Sequence, residues 1–261
     1  MDYTINVNGR LIDLSGPQVM GILNVTPDSF YEGSRMQTER EIADRSNQIV
    51  SEGATFIDVG ACSTRPGSTP VSETEEMERL RFALAIVRRE QPDSVVSVDT
   101  FRPDVARMVV EEFGAAIVND VSEGSPEMYR MVARLRVPYI LMSVQPTIRE
   151  MLLAFAREVQ QLRDFGAKDI ILDPGFGFGK TLEQNYQVMN EMEKLQTMEL
   201  PILVGISRKS MIYKLLGSTP QESLNGTTVL NTLSLMKGAS ILRVHDFKEA
   251  VECCKIISQL S

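Results

Sequence analysis

The fold this sequence predicts is an α/β barrel of eight strand–helix units, the TIM (β/α)8 architecture, behind an N-terminal β-hairpin. Three observations lead there. Eight short apolar runs alternate with eight helical stretches along 261 residues, a length at which such a barrel forms one domain, here 1–261. The runs are almost continuously apolar, as suits parallel strands covered on both faces. Polar segments follow nearly every run, and in a closed barrel those strand ends meet on one face. An open doubly wound sheet also alternates strands with helices. Eight units in this length, with polar groups after almost all of them, favour closure.

The chain opens with Tyr3–Val7, Asn8-Gly9 and Arg10–Leu14. Asn-Gly between short alternating runs signals a hairpin, because both turn positions need φ > 0. The hairpin is expected to cover the barrel's bottom. Strands are expected at Val19–Leu23, Phe56–Val59, Val95–Val98, Ala116–Val118, Tyr139–Met142, Ile170–Leu172, Ile202–Ile206 and Ser240–Leu242. Helices are expected at roughly 39–52, 73–90, 103–113, 125–134, 147–165, 182–196, 209–236 with a break near Gly217–Pro220, and 246–259. Ser72 three before Glu75, Pro103 in a first turn and Asp246 before the last stretch are helix-entry signals. Gly53, Gly114, Gly166 and Gly238, each followed by Ala, sit where a helix gives way to a strand. The connections Asn24–Thr38 and Gly60–Ser72 exceed the usual few residues and read as binding loops.

Composition narrows the function classes. No apolar run approaches a membrane span, and the N-terminus shows no secretory signal, so a cytoplasmic protein without a membrane partner is expected. A formal charge of −8 argues against a nucleic-acid surface, so an anionic substrate needs a local cluster of cations. Cys62, Cys253 and Cys254 form no disulfide framework. The single histidine, His245, removes histidine-cluster zinc sites from consideration. Most of the 14 methionines read as core filling.

The segment Asp173–Lys180 invites a phosphate-loop reading, but the glycine required five positions before Gly179 is Pro174. Its alternating glycines more plausibly let backbone approach a flat ligand that Asp173 addresses. Asp99 and Asp173 each end a buried strand, where a carboxylate is costly unless it accepts hydrogen bonds. With Asn119 they suit the N–H edge of a planar amino-heterocycle. The competing reading makes all three helix caps, which is reasonable for any one of them. Arg208 and Lys209 follow the seventh strand, Arg243 and His245 the eighth, where barrels of this kind often bind phosphate. Cations at helix starts oppose the macrodipole, which favours a ligand as their reason.

The chain resembles the dihydropteroate synthase family, a group of pterin-binding TIM barrels, over essentially its full length. The resemblance is carried by Met20–Phe30, Ile57–Gly67, Ser97–Thr100, Val118–Val121, Leu172–Thr181, Gly205–Met211 and Arg243–Asp246, in that order. It implies a homodimeric transferase that joins 6-hydroxymethyl-7,8-dihydropterin diphosphate to para-aminobenzoate in folate biosynthesis, with Mg2+ assisting departure of diphosphate. By position, Asn24 is implied as the metal ligand. Thr64, Asp99, Asn119, Met142, Asp173, Lys209, Arg243 and His245 are implied for pterin and diphosphate, with Arg243 stacking on the ring. Phe30, Thr64, Arg65, Pro66, Phe178, Lys209 and Ser210 are implied for para-aminobenzoate, the subsite that sulfonamides occupy in the family. Asp28, Arg65, Lys209, Arg243 and His245 are the implied catalytic groups, Asp28 on a loop that could stabilise a carbocation.

Two departures stand out: Ser143 follows Met142 where many relatives carry histidine, and Cys62 replaces an acidic residue. A pterin-binding paralogue without synthase activity and a methyltetrahydrofolate–corrinoid methyltransferase are the alternatives. The second has no evident use for Ser63–Gly67 or Ser207–Ser210.

Overall fold

The computed structural model describes residues 3–25, 35–62 and 71–260, with the backbone alone at 35–37. The strands β1 (Thr4–Val7) and β2 (Arg10–Asp13) pair antiparallel around Asn8 and Gly9, both at positive φ as the turn requires. Eight strands follow: β3 (Gln18–Asn24), β4 (Phe56–Gly60), β5 (Val95–Asp99), β6 (Ile117–Asp120), β7 (Tyr139–Met142), β8 (Ile170–Asp173), β9 (Leu203–Val204) and β10 (Ile241–Val244). Each pairs in parallel with its sequence neighbour, except β8 and β9, and β10 also pairs with β3. One parallel bridge, Leu172 with Ile202, brings β8 to the end of β9 and completes the ring.

Nine helices surround the described barrel: α1 (Arg35–Ser51), α2 (Glu73–Glu90), α3 (Pro103–Phe113), α4 (Pro126–Leu135), α5 (Ile148–Asp164), α6 (Leu182–Glu191), α7 (Ser210–Leu216), α8 (Leu224–Met236) and α9 (Phe247–Ile257). A 3-10 turn over Met192–Met198 extends α6. The long stretch expected over 209–236 divides as expected near Gly217. That residue adopts φ 61° and donates to the carbonyls of Tyr213 and Lys214, which ends α7. Ser72 caps α2 through the Glu75 amide, while Pro103 supplies the first turn of α3 behind an Arg102 that makes no side-chain cap. Gly53, Gly114, Gly166 and Gly238 all take positive φ.

Alternation along the strands divides the buried residues into two groups. Outward side chains meet the helices in the large core, whereas the interior group joins Met20, Phe56, Ile117, Ile140, Ile171, Leu203 and Ile241 to Ile5, Val7, Ile12 and Leu14. The hairpin therefore closes the barrel's bottom with apolar contacts, as expected, and leaves the other end for polar groups. Close approach of the outer helices fixes one residue of β3: a Cβ on Gly21 would come within 2.7 Å of Ile49 and 3.0 Å of Phe247.

Strand ends depart from expectation in a way that matters. The strands β5, β6, β8 and β10 continue through Asp99, Asn119-Asp120, Asp173 and Arg243-Val244. Their polar residues belong to the ladder rather than to loops after it. Hydropathy stopped the strands one or two residues early because it takes a charge as a boundary. In the other direction, β9 shortens to Leu203–Val204.

Candidate active site

Register aligns the mouth. Asn24 pairs with Gly60, Gly60 with Asp99 and Asp99 with Asn119, so four neighbouring strands present these residues at one level. Met142 pairs with Asp173 further around the ring. None of Asp99, Asn119 or Asp173 caps a helix: the following helices are capped at Arg102, Ser125 and Thr181. The capping interpretation of these three residues falls.

At the centre of the mouth lies a guanidinium held by two carboxylates. Arg243 Nε donates to Asp58 Oδ2 at 2.7 Å and its Nη2 to Asp99 Oδ2 at 2.9 Å. Asp58 Oδ2 also accepts from Asn119 Nδ2 at 3.1 Å. Burial opposes the charge on Arg243, but Asp58 and Asp99 outweigh it and hold the group above its ordinary value. Burial pushes the Asp99 carboxyl up to about 7 against the pull of Arg243, with Asp58 and Asp120 adding to the rise. Asp58 Oδ1 and Asn119 Oδ1 are both buried and have no hydrogen-bond partner among the described residues, which suits a ligand carrying N–H groups.

Asp58 did not figure among the expected site residues. It stands in the middle of β4, fully buried, within what hydropathy marks as an apolar run. The available signal was a lone carboxylate between Ile57 and Val59, which is costly without partners.

The opposite wall is the glycine-rich loop after β8. Asp173 accepts the Gly175 amide at 2.7 Å, and burial raises its pKa against the opposing charge of Lys209. Gly175 has φ 63°, and a Cβ there would lie 2.2 Å from the Ser143 carbonyl oxygen. Lys180 ties the loop together by donating to the carbonyls of Ser143, Gly175 and Phe178 at 3.0, 3.0 and 3.2 Å. Its ammonium replaces the phosphate contact a Walker lysine would make. Lys209 donates to the Phe176 carbonyl and stands 4.3 Å above the Phe178 ring. Burial lowers its pKa to about 8, with Asp173 pulling the other way. Ser210 begins α7 beside it, half-buried.

The two cations after β9 part company. Lys209 enters the mouth, while Arg208, at φ 54°, turns away and grips Asp246 through Nη2 at 2.7 Å and Nε at 2.9 Å. Asp246 was expected to open α9 as a cap, yet its side chain caps nothing and serves this ion pair. His245 stands next to it, with Nδ1 and its own amide each 3.2 Å from Ser207 Oγ. Burial, followed by the charge of Arg243, lowers its pKa to about 4.

Beyond His245 opens a cavity of about 370 Å³ lined by Asn24, Thr38, Glu41, Arg45 and His245. Asn24 is exposed at its edge, and a Cβ on Gly60 would come 3.3 Å from Asn24 Oδ1, so the glycine keeps that amide oxygen accessible. Among the described residues no three His, Cys, Asp or Glu side chains cluster to hold a metal by themselves. One amide oxygen fits a hard cation that keeps its waters and takes further oxygens from a phosphate ligand.

The departures are accounted for locally. Ser143 is buried; its hydroxyl accepts the Gln145 amide at 3.2 Å while its carbonyl accepts Lys180. Cys62 lies 3.9 Å from Arg102, its pKa pushed up to about 12 by burial and by Glu76. Asp120 faces outward to the Tyr139 hydroxyl and Ser122, a brace for the turn after β6. Asp28, Phe30, Thr64, Arg65 and Pro66, together with most of the two long loops, lie outside the described residues.

Residues 20–245 match the family model described as "Pterin binding enzyme". The chain is 40% identical to dihydropteroate synthase of Escherichia coli strain K12, covering 95% of this chain and 93% of that protein. It is 38% identical to the enzyme of the same name from Synechocystis, over 93% of this chain and 89% of that protein. Among solved structures, Xanthomonas albilineans dihydropteroate synthase with 4-aminobenzoic acid superposes with a TM-score of 0.90 at 33% identity, covering 100% and 98% of the two chains. Yersinia pestis dihydropteroate synthase in a sulfonamide complex gives 0.89 at 36%, covering 99% and 98%.

Proposed function

The chain belongs to the pterin-binding enzymes, within the dihydropteroate synthases, and from that premise we propose how its residues divide the reaction. The enzyme is a transferase of folate biosynthesis. It condenses 6-hydroxymethyl-7,8-dihydropterin diphosphate with para-aminobenzoate, giving 7,8-dihydropteroate and diphosphate. A bond forms from the arylamine nitrogen to the exocyclic methylene carbon, the carbon–oxygen bond to diphosphate breaks, and the amine gives up one proton.

The observation that carries the residue assignment is the set of acceptors around Arg243. Asp99, Asn119 and Asp173 line the mouth with carboxylate and amide oxygens, two of the buried oxygens there, on Asp58 and Asn119, lacking a partner among the described residues. These match a pterin's N–H edge, and Met142 packs behind it. Arg243, its fork fixed by Asp58 and Asp99, offers a flat cationic face to the ring and lies toward the leaving group. Lys209 addresses the pterin on one side and, with Phe178 and Ser210, the arylamine on the other. Charge that develops on departing diphosphate is met by Arg243 and by a hydrogen bond from His245, in a site where low dielectric strengthens both. Asp28 and Arg65 complete the catalytic set in this proposal, and Phe30, Thr64 and Pro66 the arylamine site.

Asn24 would hold Mg2+ at the cavity edge. When bound, the ion supplies charge neutralisation to the diphosphate oxygens. A cytoplasmic homodimer is the proposed assembly. Val229, Leu233 and Met236 line one exposed stripe of α8, with Leu215 and Leu216 exposed on α7 and Ile256 on α9, and a second copy would cover them. Sulfonamides would compete at the arylamine subsite. Formation of 7,8-dihydropteroate with release of pyrophosphate from purified protein given pterin diphosphate, Mg2+ and para-aminobenzoate tests the reading; no dihydropteroate from the three together would refute it.

A further inference from the structure

Ser207 and His245 form a pair whose hydrogen-bond count has one solution. The Ser207 hydroxyl is buried, with one proton to give and two lone pairs to fill. The His245 amide donates to it at 3.2 Å, which uses one lone pair. Among the described residues, the one acceptor paired with that hydroxyl is His245 Nδ1, also at 3.2 Å. A proton on Nδ1 would aim two donors at one oxygen and leave the hydroxyl hydrogen buried without an acceptor, an expensive arrangement. The hydroxyl therefore donates to Nδ1, and the ring proton resides on Nε2.

We propose that Ser207 is a positioning residue that fixes the only histidine of the chain as its Nε2–H tautomer, so that His245 meets the leaving diphosphate as a neutral hydrogen-bond donor rather than as an acid. The role toward diphosphate rests on the function proposed above; the tautomer does not. No proton leaves the imidazole in this scheme, and the departing oxygen gains a donor without needing to find a charged partner.

The surroundings are built to keep this geometry. Arg45 donates to the His245 carbonyl at 2.8 Å while its guanidinium stacks 4.0 Å over Phe247, fixing the backbone from the far side. The ion pair of Arg208 with Asp246 binds the two loops that carry Ser207 and His245, and Arg208 extends it to the carbonyls of Pro220 and Gln221 at 2.9 and 2.8 Å. The charges of Arg243, Arg45 and Arg208 all oppose a proton on the imidazole, with Asp246 pulling the other way. That imbalance, added to burial, keeps the ring uncharged.

One histidine in 261 residues makes the test direct, because the imidazole of 15N-labelled full-length protein gives one spin system. Two-bond proton–nitrogen correlation spectra at neutral pH are expected to show Nδ1 pyridine-like and Nε2 pyrrole-like. In Ser207→Ala the two nitrogens are expected to move toward the average of exchanging tautomers, and Ser207→Thr to restore the wild-type pattern. Turnover in Ser207→Ala is expected to fall on the order of tenfold, as for one lost hydrogen bond, with KM for para-aminobenzoate unchanged and Thr rescuing. A pyrrole-like Nδ1 in the wild type, or a spectrum indifferent to Ser207→Ala, would overturn the proposal. Absence of synthase activity would instead refute the proposed function and leave the tautomer standing.

Discussion

Replacing Asp58 by asparagine changes one atom and removes one of the two carboxylate charges that hold Arg243. Asp58 Oδ2 accepts from Arg243 Nε at 2.7 Å and from Asn119 Nδ2 at 3.1 Å. The amide oxygen can stand where Oδ2 stood and keep both donors, so what is lost is the negative charge opposite Arg243, while the NH2 falls where the unpartnered Oδ1 was buried. The bond from Arg243 drops from ionic, about 1.5–3 kcal/mol, to one with a neutral acceptor, about 0.5–1.5 kcal/mol, and a buried NH2 without an acceptor costs about 1–3 kcal/mol more. Complete orphaning of a buried charge costs roughly 3–5 kcal/mol. Asp99 still holds Nη2 of Arg243, so the lower end applies and the expected loss is about 3 kcal/mol. For a chain of this size that is a fall in melting temperature of roughly 6–12 °C. The assay is urea or thermal unfolding of the ligand-free protein, run beside Asp58→Asn combined with Arg243→Met. Removing both charges relieves the uncompensated cation, so the double variant is expected to lose less than the sum of the two singles. A single variant within about 0.5 kcal/mol of wild type, or strict additivity in the double, would show that Asp58 is not what holds Arg243.

Pterin affinity is expected to be greatest between pH 7 and 8. Asp99, raised to about 7, loses its negative charge below that pH, and Lys209, lowered to about 8, loses its positive charge above it; calorimetric titration showing a flat profile from pH 6 to 9 would refute the assignment. Stability of the empty protein should rise with pH on account of Lys209 between about 8 and 10.5, because there the unfolded chain holds a proton that the folded lysine has lost; urea midpoints that stay flat across that range would refute it. Gly175→Ala places a Cβ against the Ser143 carbonyl in a backbone region hostile to alanine and should abolish measurable pterin binding at a stability cost of about 1–3 kcal/mol; wild-type affinity would show the loop to be adaptable. Asp246→Asn frees Arg208 and should raise KM for the pterin diphosphate more than it weakens binding of the bare pterin, a difference measurable by comparing the two ligands.

Much of the barrel could be read from hydropathy because burial on both faces leaves a strand little choice of residue. The eight apolar runs, the hairpin around Asn8 and Gly9, and the helix ends at Gly53 and Gly114 all follow from local chemistry. Asp99, Asn119, Asp173, Lys209 and Arg243 could be picked out because each is a polar residue where an apolar one would have sufficed. What escaped is what depends on long-range pairing. Asp58 acquires its meaning from Arg243, 185 residues away, and nothing in its own neighbourhood announces that partner. Arg208 and Asp246 each looked local, one a phosphate ligand and one a cap; 38 residues apart, they prefer each other. Lys180 likewise has no local signature for binding three carbonyls, since loop shape is decided by the positive φ of Gly175, Gly177 and Gly179 together.

The ring of strands is joined least firmly between β8 and β9, where a single bridge and the Pro201 carbonyl on the Leu172 amide do the work of a ladder. Asp173 stands on one bank of that join and Lys209 on the other, and the Phe176 carbonyl already reaches across to the lysine. A pterin held by both residues would act as a rivet through the barrel's weakest joint. Substrate recognition and closure of the ring then become one equilibrium. Amides of Leu203 and Val204 should therefore gain hydrogen-exchange protection with pterin bound, well beyond those of β4 and β5 on the firmly laddered side.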